Sequence, residues 1–424
     1  MKIKHSLLIF FSVILFVFGT GHFLDKGKMM IPEFTVPYFS GAALIDQGQG
    51  WKFNLNEVDT LHKFISIPDK EESLKKINSY HFVSHQIDSR NYAINQPGYL
   101  YVVWIAGNIF RWTGSIGAVK LFQLLIHSVI SLIILLLLKT RREQLIFFCL
   151  YVINPLIIYY ALYPFYYFWE IIPSAILVYW FLSQRKISFL VLLMLALLLA
   201  FTFHIRSTVL VLSILVLLYA GRNLPIYKRG IVVAVFIFSL ISLGSEKTDK
   251  HPGHIMYTSL GAYPNSYVKG FSDTISWNAY RDIAGSEFSY DSKPGMYDSE
   301  VFFGESKWCM GEYLRILKAE PLMVLRNAVL NFFQSFSLGH FRASLPLSYF
   351  SSLLGLILFL LLFLRKKFFF LAAIIAASCT YSFYLPPLPI YMYGSYLIIL
   401  MALMNIFFGT GNPKGLVEKS IAIR

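Results

Sequence analysis

What the chain has little of narrows the field first. Three cysteines, Cys149, Cys309 and Cys379, offer no disulfide framework and no metal-ligand spacing. Only 14% of the 424 residues are charged, while 56% are hydrophobic and 17% aromatic. A soluble chain carries about a quarter charged residues, so this composition excludes an ordinary soluble domain. There is no Walker A loop, no Gly-rich dinucleotide fingerprint after a strand, no HExxH and no GxSxG. Nucleotide-driven or hydrolytic chemistry of those kinds therefore has no support. Low-complexity tracts and fixed-period repeats are also missing.

What is there is apolar length. Runs such as "HSLLIFFSVILFVFGTGHFL" (5–24) and "LPLSYFSSLLGLILFLLLFL" (345–364) reach the length that crosses a bilayer. Breaks at polar and proline-containing stretches divide the chain into spans at roughly 6–24, 117–138, 145–163, 165–183, 187–203, 205–220, 230–244, 346–364, 368–385 and 390–408. The expected fold class is an all-α integral membrane protein with about ten transmembrane helices. The first run follows Lys2 and Lys4 like a signal peptide. It lacks a small-x-small cleavage site before Asp25, so it reads as an uncleaved anchor.

Charge assigns the sides. Basic clusters fall between the spans: Lys139, Arg141 and Arg142; Arg185 and Lys186; Arg222, Lys228 and Arg229; Arg365, Lys366 and Lys367. Lys2 and Lys4 precede the first span, and Lys414, Lys419 and Arg424 follow the last. The positive-inside rule places all six groups in the cytoplasm. They hold 16 lysines and arginines but only Glu143 and Glu418 among the acids, a balance of +14. That is the net charge of the whole chain; the remainder has 21 of each sign. The basic balance is a topology signal and gives no reason to expect a nucleic-acid partner.

One stretch decides whether this works. "NQPGYLYVVWIAGNIFRWTG" (95–114) is apolar enough to cross, but crossing would put the N-terminus and the clusters from 139 onward on opposite sides. Pro97-Gly98, Gly107, Arg111, Trp112 and the rings of Tyr99, Tyr101 and Trp104 suit an interfacial helix. The expectation is a juxtamembrane helix over 97–114. The layout is then a first anchor (1–24), a large extracytoplasmic loop (25–116), a transmembrane bundle (117–244), a second extracytoplasmic loop (245–345), C-terminal transmembrane helices (346–408) and a cytoplasmic tail (409–424). Both termini are cytoplasmic and the active face is extracytoplasmic, in a multi-pass protein of the cell membrane.

Chemistry is therefore sought on the outer face, where ionisable residues at membrane depth are few and costly. Glu170 in "YPFYYFWEIIP" lies at an outer helix end; His204 and Arg206 in "FTFHIRST" lie at the tip of a tight helical hairpin. Each is either a functional group or an ordinary snorkelling or loop residue. His127 lies mid-span as a packed polar residue, and Lys120 can reach the surface. In "HFVSHQIDSRNY", His81, His85 and Asp88 would share a helical face and could bind a metal, although the spacing is short and Pro97 follows soon after. "HPGHIMYTSLGAYPNSYVKGF" (251–271), dense in His, Gly, Tyr and Pro, suits a sugar or lipid-headgroup site, with His254 and Tyr257 as its candidates.

Three stretches carry a family resemblance. "VPYFSGAALIDQGQGW" (36–51) resembles a Tyr-x3-Ala-x-x-Leu-then-Gly helix after a first span. "NQPGYLYVVWIAGNIFRWTG" resembles a Pro-rich lead into a juxtamembrane helix. "NPLIIYYALYPFYYFWE" (154–170) resembles the following span pair, with an acidic residue beginning the second. Together they are similar to the GT-C membrane glycosyltransferases, among them aminoarabinose transferases and protein O-mannosyltransferases, over most of the first 220 residues. The resemblance implies a polyprenyl-phosphate sugar donor and a glycan, lipid or protein acceptor. It also implies a catalytic acid four residues before the motif Tyr. Here that position is Phe34, and the neighbouring carboxylate is Glu33. Glu33 is the leading candidate for the base, followed by Asp88 and Asp46.

The implied reaction deprotonates an acceptor by a loop carboxylate and displaces a phosphate monoester from the sugar C1, with inversion. Arg206, His204, Arg90 and His254 are the candidates to hold the donor phosphate; Glu170, Tyr38 and Tyr257 are candidates to hold substrate. A monophosphate leaving group needs no metal cofactor, which leaves room for a divalent cation without requiring one. Two other readings fit a chain of this kind. An O-antigen or polysaccharide polymerase or ligase would place its dominant loop later than residue 116. A secondary transporter would need broken helices and ionisable groups near the midplane.

Overall fold

The computed structural model describes residues 2–25, 36–46, 96–111, 115–243, 252–284 and 299–411, with isolated positions at 63, 72, 76, 79 and 113. Among them all regular structure is helical. In chain order the helices are α1 (Lys2–Asp25), α2 (Val36–Asp46), α3 (Pro97–Ile109), α4 (Ser115–Leu137), α5 (Arg141–Phe147), α6 (Pro155–Ala161), α7 (Ile171–Ser183), α8 (Phe189–Ile205) and α9 (Leu210–Ala220). They continue as α10 (Ile226–Leu243), α11 (Pro252–Leu260), α12 (Asp273–Ala284), α13 (Ser299–Ala319), α14 (Pro321–Gln334), α15 (Leu345–Leu364), α16 (Phe368–Ser378) and α17 (Tyr393–Phe408).

Among the described residues, four stretches are long and apolar enough to cross a membrane: Ser6–Asp25, Ile116–Leu137, Leu345–Leu364 and Pro389–Phe408. A fifth is Arg141–Val152 with Pro155–Ala161, if the pair, bent by 54°, counts as one. The bend has a local cause. A π-helical turn over Phe148–Val152 is capped by Ile153, the Asn154 side chain then accepts from Leu156 N to start the next helix, and Pro155 has no N–H to continue the ladder. Outward-facing Leu8, Phe11, Leu15, Met194, Phe238, Leu353 and Phe363 are exposed, as apolar side chains facing lipid would be.

Helix starts are written in short-range chemistry. Thr140 and Glu143 form a capping box at α5; Ser188 caps α8 and Ser344 caps α15. The expected helix over 97–114 is shorter than that range. α3 has 13 residues, about 20 Å of helix, well short of the roughly 30 Å hydrocarbon core. It packs on α2, α4 and α8.

Contacts between distant segments sort the bundle into two ends. At one end Thr410 donates to Glu143, Arg142 lies over the Phe408 ring, Arg222 donates to Gln184, Lys228 lies near the Phe189 ring and Phe181 stacks on Phe369. Four of the internal basic clusters and the start of the tail gather there. At the other end Lys120 pairs with Asp25 at 2.6 Å, Arg206 with Glu170, and Thr380 donates to the Thr208 carbonyl. A second, smaller core of Tyr257, Leu260, Val268, Cys309, Tyr313, Ile316 and Val324, drawn from α11, α13, α14 and the loop after α11, sits at this second end. It is tied to the bundle where Ser259 donates to the Tyr384 carbonyl and His340 N–H to the Pro387 carbonyl.

Candidate functional site

Glu170 and Arg206 are brought together by two chain reversals. Tyr166–Glu170 is a 3-10 turn feeding α7. Arg206 ends α8 with extended backbone, φ −148° and ψ 105°, before the 3-10 turn Ser207–Val209 that opens α9. Arg206 Nε donates to Glu170 Oε1 at 3.0 Å, and Thr208 Oγ1 donates to the same oxygen at 2.7 Å. The side chains are only 11% and 7% exposed. Taking either charge out of water alone would cost several kcal/mol, and here each offsets the other.

The guanidinium is also framed by rings. Its carbon lies 4.6 Å from the Tyr167 centroid, 5.2 Å from Tyr166 and 5.5 Å from Tyr391, within cation–π range of all three. Because Glu170 is met through Nε, the terminal Nη fork has no hydrogen bond among the described residues. A planar fork fixed at its base and without a hydrogen bond at its tip among the described residues matches a phosphate or carboxylate ligand. Below the pair, Glu170, Ser174, Thr208, Leu212 and Ser395 line a cavity of roughly water size, too small for a sugar.

Further aromatic packing links this pair to α2 and α3. Tyr38 is buried edge-on against Tyr99 at 5.1 Å and Tyr166 at 6.0 Å. Gly98 is a close approach: a Cβ there would lie 2.7 Å from the backbone of His204 and Ile205. The N-terminus of α3 thus rests on the end of α8 that carries His204 and Arg206. The segments around Tyr38, Gly98 and Glu170 converge on one place, though they are far apart in sequence.

His254 and Tyr257 lie in the second core. His254 Nδ1 is 2.6 Å from buried Glu305 Oε1, and Nε2 is 3.3 Å from Asp273 Oδ1. Burial opposes the charged ring. The hydrogen bonds and charges of Asp273 and Glu305 outweigh that and raise its pKa to about 9. Asp273 is itself opposed by burial, yet His254, and secondarily Arg342, lower its pKa. This trio ties α11, α12 and α13 together. Tyr257 packs edge-on against Trp308.

Of the residues singled out from sequence, the structure brings together Glu170, Arg206, Tyr38 and, through Gly98, His204. Asp46 is the last residue of α2, and its side chain lies outside the described set. Glu33, Asp88 and Arg90, with the His81 and His85 spacing, lie outside the described residues. Sequence reasoning missed Thr208, Tyr391 and the Asp273–Glu305 pair. "YPFYYFWE" held the signal for the tyrosine frame, since Tyr166 and Tyr167 precede Glu170 directly. Nothing local marked Asp273 or Glu305 as partners of His254. Lys120 does not snorkel alone but pairs with Asp25, and His127 is buried with Nδ1 3.0 Å from Tyr393 Oη.

The class these features define is a chain whose described residues are helical, with four or five membrane-length apolar helices among them and a tyrosine-framed arginine–glutamate pair at one end. Comparison with protein-family models, with curated proteins and with solved structures finds no match.

Proposed function

We propose that the protein is an integral membrane glycosyltransferase of GT-C type. It moves a sugar from a polyprenyl-phosphate donor to an acceptor on the outer face of the cell membrane. The observation that carries this reading is the Arg206 fork, held by Glu170, framed by tyrosines and open at its tip at the end of the bundle opposite the basic clusters. In this reading the chain crosses about ten times with both termini in the cytoplasm. The remaining apolar helices, α7, α8, α9, α10 and α16, are crossings too, and α3 lies along the outer surface.

A donor phosphate arriving at that surface meets a cation that is already oriented. The acceptor oxygen attacks the sugar C1 while the C1–O bond to phosphate breaks. Polyprenyl phosphate leaves against the Arg206 fork, and the acceptor proton passes to a carboxylate of the first loop. Glu33 is the proposed base, with Asp88 and Asp46 next in line. His254 has both ring nitrogens engaged by carboxylates, so the phosphate role rests mainly on Arg206, with Arg90 as the loop candidate. Apolar grooves between helices hold the prenyl tail.

The test is incubation of purified protein with radiolabelled polyprenyl-phosphate sugars and a membrane extract as acceptor source. Label leaving the lipid for a product supports the reading. Flux of an unmodified solute across proteoliposomes, with no glycosylated product, replaces it with a transporter.

A further inference from the structure

The turn between α14 and α15 reads "SLGHFR" (337–342). Gly339 has φ +87°, and a Cβ there would collide with the Pro387 carbonyl, so the turn can sit this close to the 385–389 loop only with glycine. His340 N–H then donates to the Pro387 carbonyl at 2.8 Å. This clamps the turn beside Tyr391, one of the three rings framing Arg206.

Two side chains of the turn stand out. Arg342 is exposed, lies 4.4 Å from the Phe271 ring centroid, and makes no hydrogen bond or ion pair among the described residues. It is close enough to act electrostatically on Asp273, His340 and the Tyr391 hydroxyl. Asp273, the neighbouring carboxylate, is hydrogen-bonded to His254 instead. His340 is 2% exposed, and its Nδ1 has no hydrogen-bond partner among the described residues. Burial, with Arg342 beside it, lowers its pKa to about 4, so the ring is neutral and can accept or donate one hydrogen bond there. A buried polar nitrogen without a partner among the described residues leaves one hydrogen bond for a ligand group to make.

We infer that Arg342 and His340 form the second arm of a phosphate clamp whose first arm is Arg206, closed across Tyr391 between the helix bundle and the second core. The ligand chemistry is a phosphate monoester. Its recognition needs two segments more than 130 residues apart, so docking of the second core on the bundle is part of the site. The inference rests on the proposed function only in taking that monoester to be the prenyl phosphate the donor releases.

The experiment measures binding of farnesyl phosphate, a short prenyl phosphate, to the purified full chain in detergent. Inorganic phosphate serves as competitor, and sugar transfer is assayed on the same preparations. Arg342→Ala should weaken farnesyl phosphate by about ten- to a hundredfold. Because Arg342 is exposed, the fold should survive the change. Arg342→Lys should recover only part of the loss, since a point charge lacks the fork. Exposed Lys318→Ala should have no effect. Displacement by millimolar inorganic phosphate identifies a site for free phosphate; resistance to it identifies a lipid-linked one. Wild-type protein that fails to bind farnesyl phosphate, or Arg342→Ala that binds like wild type, overturns the clamp. Binding that depends on Arg342 without any sugar transfer leaves the clamp standing and removes the transferase reading. Transfer that is indifferent to Arg342 does the reverse.

Discussion

The two ends of the bundle use arginine in opposite ways. At the end where the basic clusters gather, Arg222 lies over the Tyr219 ring at 4.2 Å and donates to Gln184, both partners neutral, and it remains partly open to solvent. The buried carboxylate of that end, Glu143, takes hydrogen bonds from Thr140 and Thr410 and serves as a helix cap, with no cation paired to it among the described residues. At the other end a single arginine is buried against a single carboxylate and ringed by tyrosines. A cation in water records which side of the membrane it lies on. A cation out of water, fixed at one nitrogen and open at two, records a position at which charge will be met. The same residue type is therefore partly solvent-open among basic clusters at one end and buried in a candidate site at the other.

Removing Arg206 tests the contrast hardest. Arg206→Ala leaves Glu170 buried and unpaired and should destabilise the protein by about 3–5 kcal/mol, read as a lowered melting temperature in detergent. The double change Glu170→Gln with Arg206→Gln removes both charges and should regain most of that stability. Sugar transfer should stay reduced by about 10²–10³-fold in the double variant. Equal activity in the double variant and the wild type would make the pair purely structural.

Gly98→Ala comes next. A methyl group 2.7 Å from the His204 and Ile205 backbone must push α3 off the end of α8, at about 1–3 kcal/mol. An unchanged melting temperature would mean that α3 is not seated there. The Tyr38–Tyr99–Tyr166 packing predicts that transfer falls with it.

The His254 trio predicts a pH window for the second core. The folded pKa of His254, about 9, lies above its ordinary 6.5, so its stabilisation is complete below 6.5 and fades as pH rises through 9. Asp273 is shifted downward, so its contribution is present above the ordinary carboxylate range and is lost as pH falls below it. Protection of α11–α13 amides from hydrogen exchange, corrected for the intrinsic pH dependence, should therefore decline on the alkaline side. His254→Gln should abolish that decline; an unaltered profile in the variant would assign it to another group. The smallest effect belongs to the opposite end. Arg222→Ala should shift stability by less than about 1 kcal/mol, as an exposed pair does, and leave transfer unchanged.

Legibility in the sequence followed the range of the interaction. Apolar runs are local, and they appear as helices at or near the expected places, although 145–163, expected as one span, bends at Asn154-Pro155. Boundaries moved where backbone chemistry overrode hydropathy. The run 165–183 opens as a 3-10 turn at Tyr166–Glu170, and 368–385 is helical only to Ser378 before a chain of turns leads to α17. Arg206 and Glu170 were each visible as costly charges in apolar surroundings, but their pairing was not. It depends on how α7 and α8 pack, which no local spacing encodes. His254 was visible for its setting, whereas Asp273 and Glu305, 19 and 51 residues away, were not. His340 and Arg342 looked like ordinary loop residues because their meaning comes from Pro387, Tyr391 and Phe271.

Sugar transfer in lipid nanodiscs decides the matter, with labelled polyprenyl-phosphate donors, wild-type protein and the Glu170→Gln, Arg206→Gln double variant. Label should move to an acceptor with wild type and about 10²–10³-fold less with a double variant that melts near the wild-type temperature. Label that stays on the lipid for every donor, or a folded double variant that transfers at the wild-type rate, would contradict that expectation.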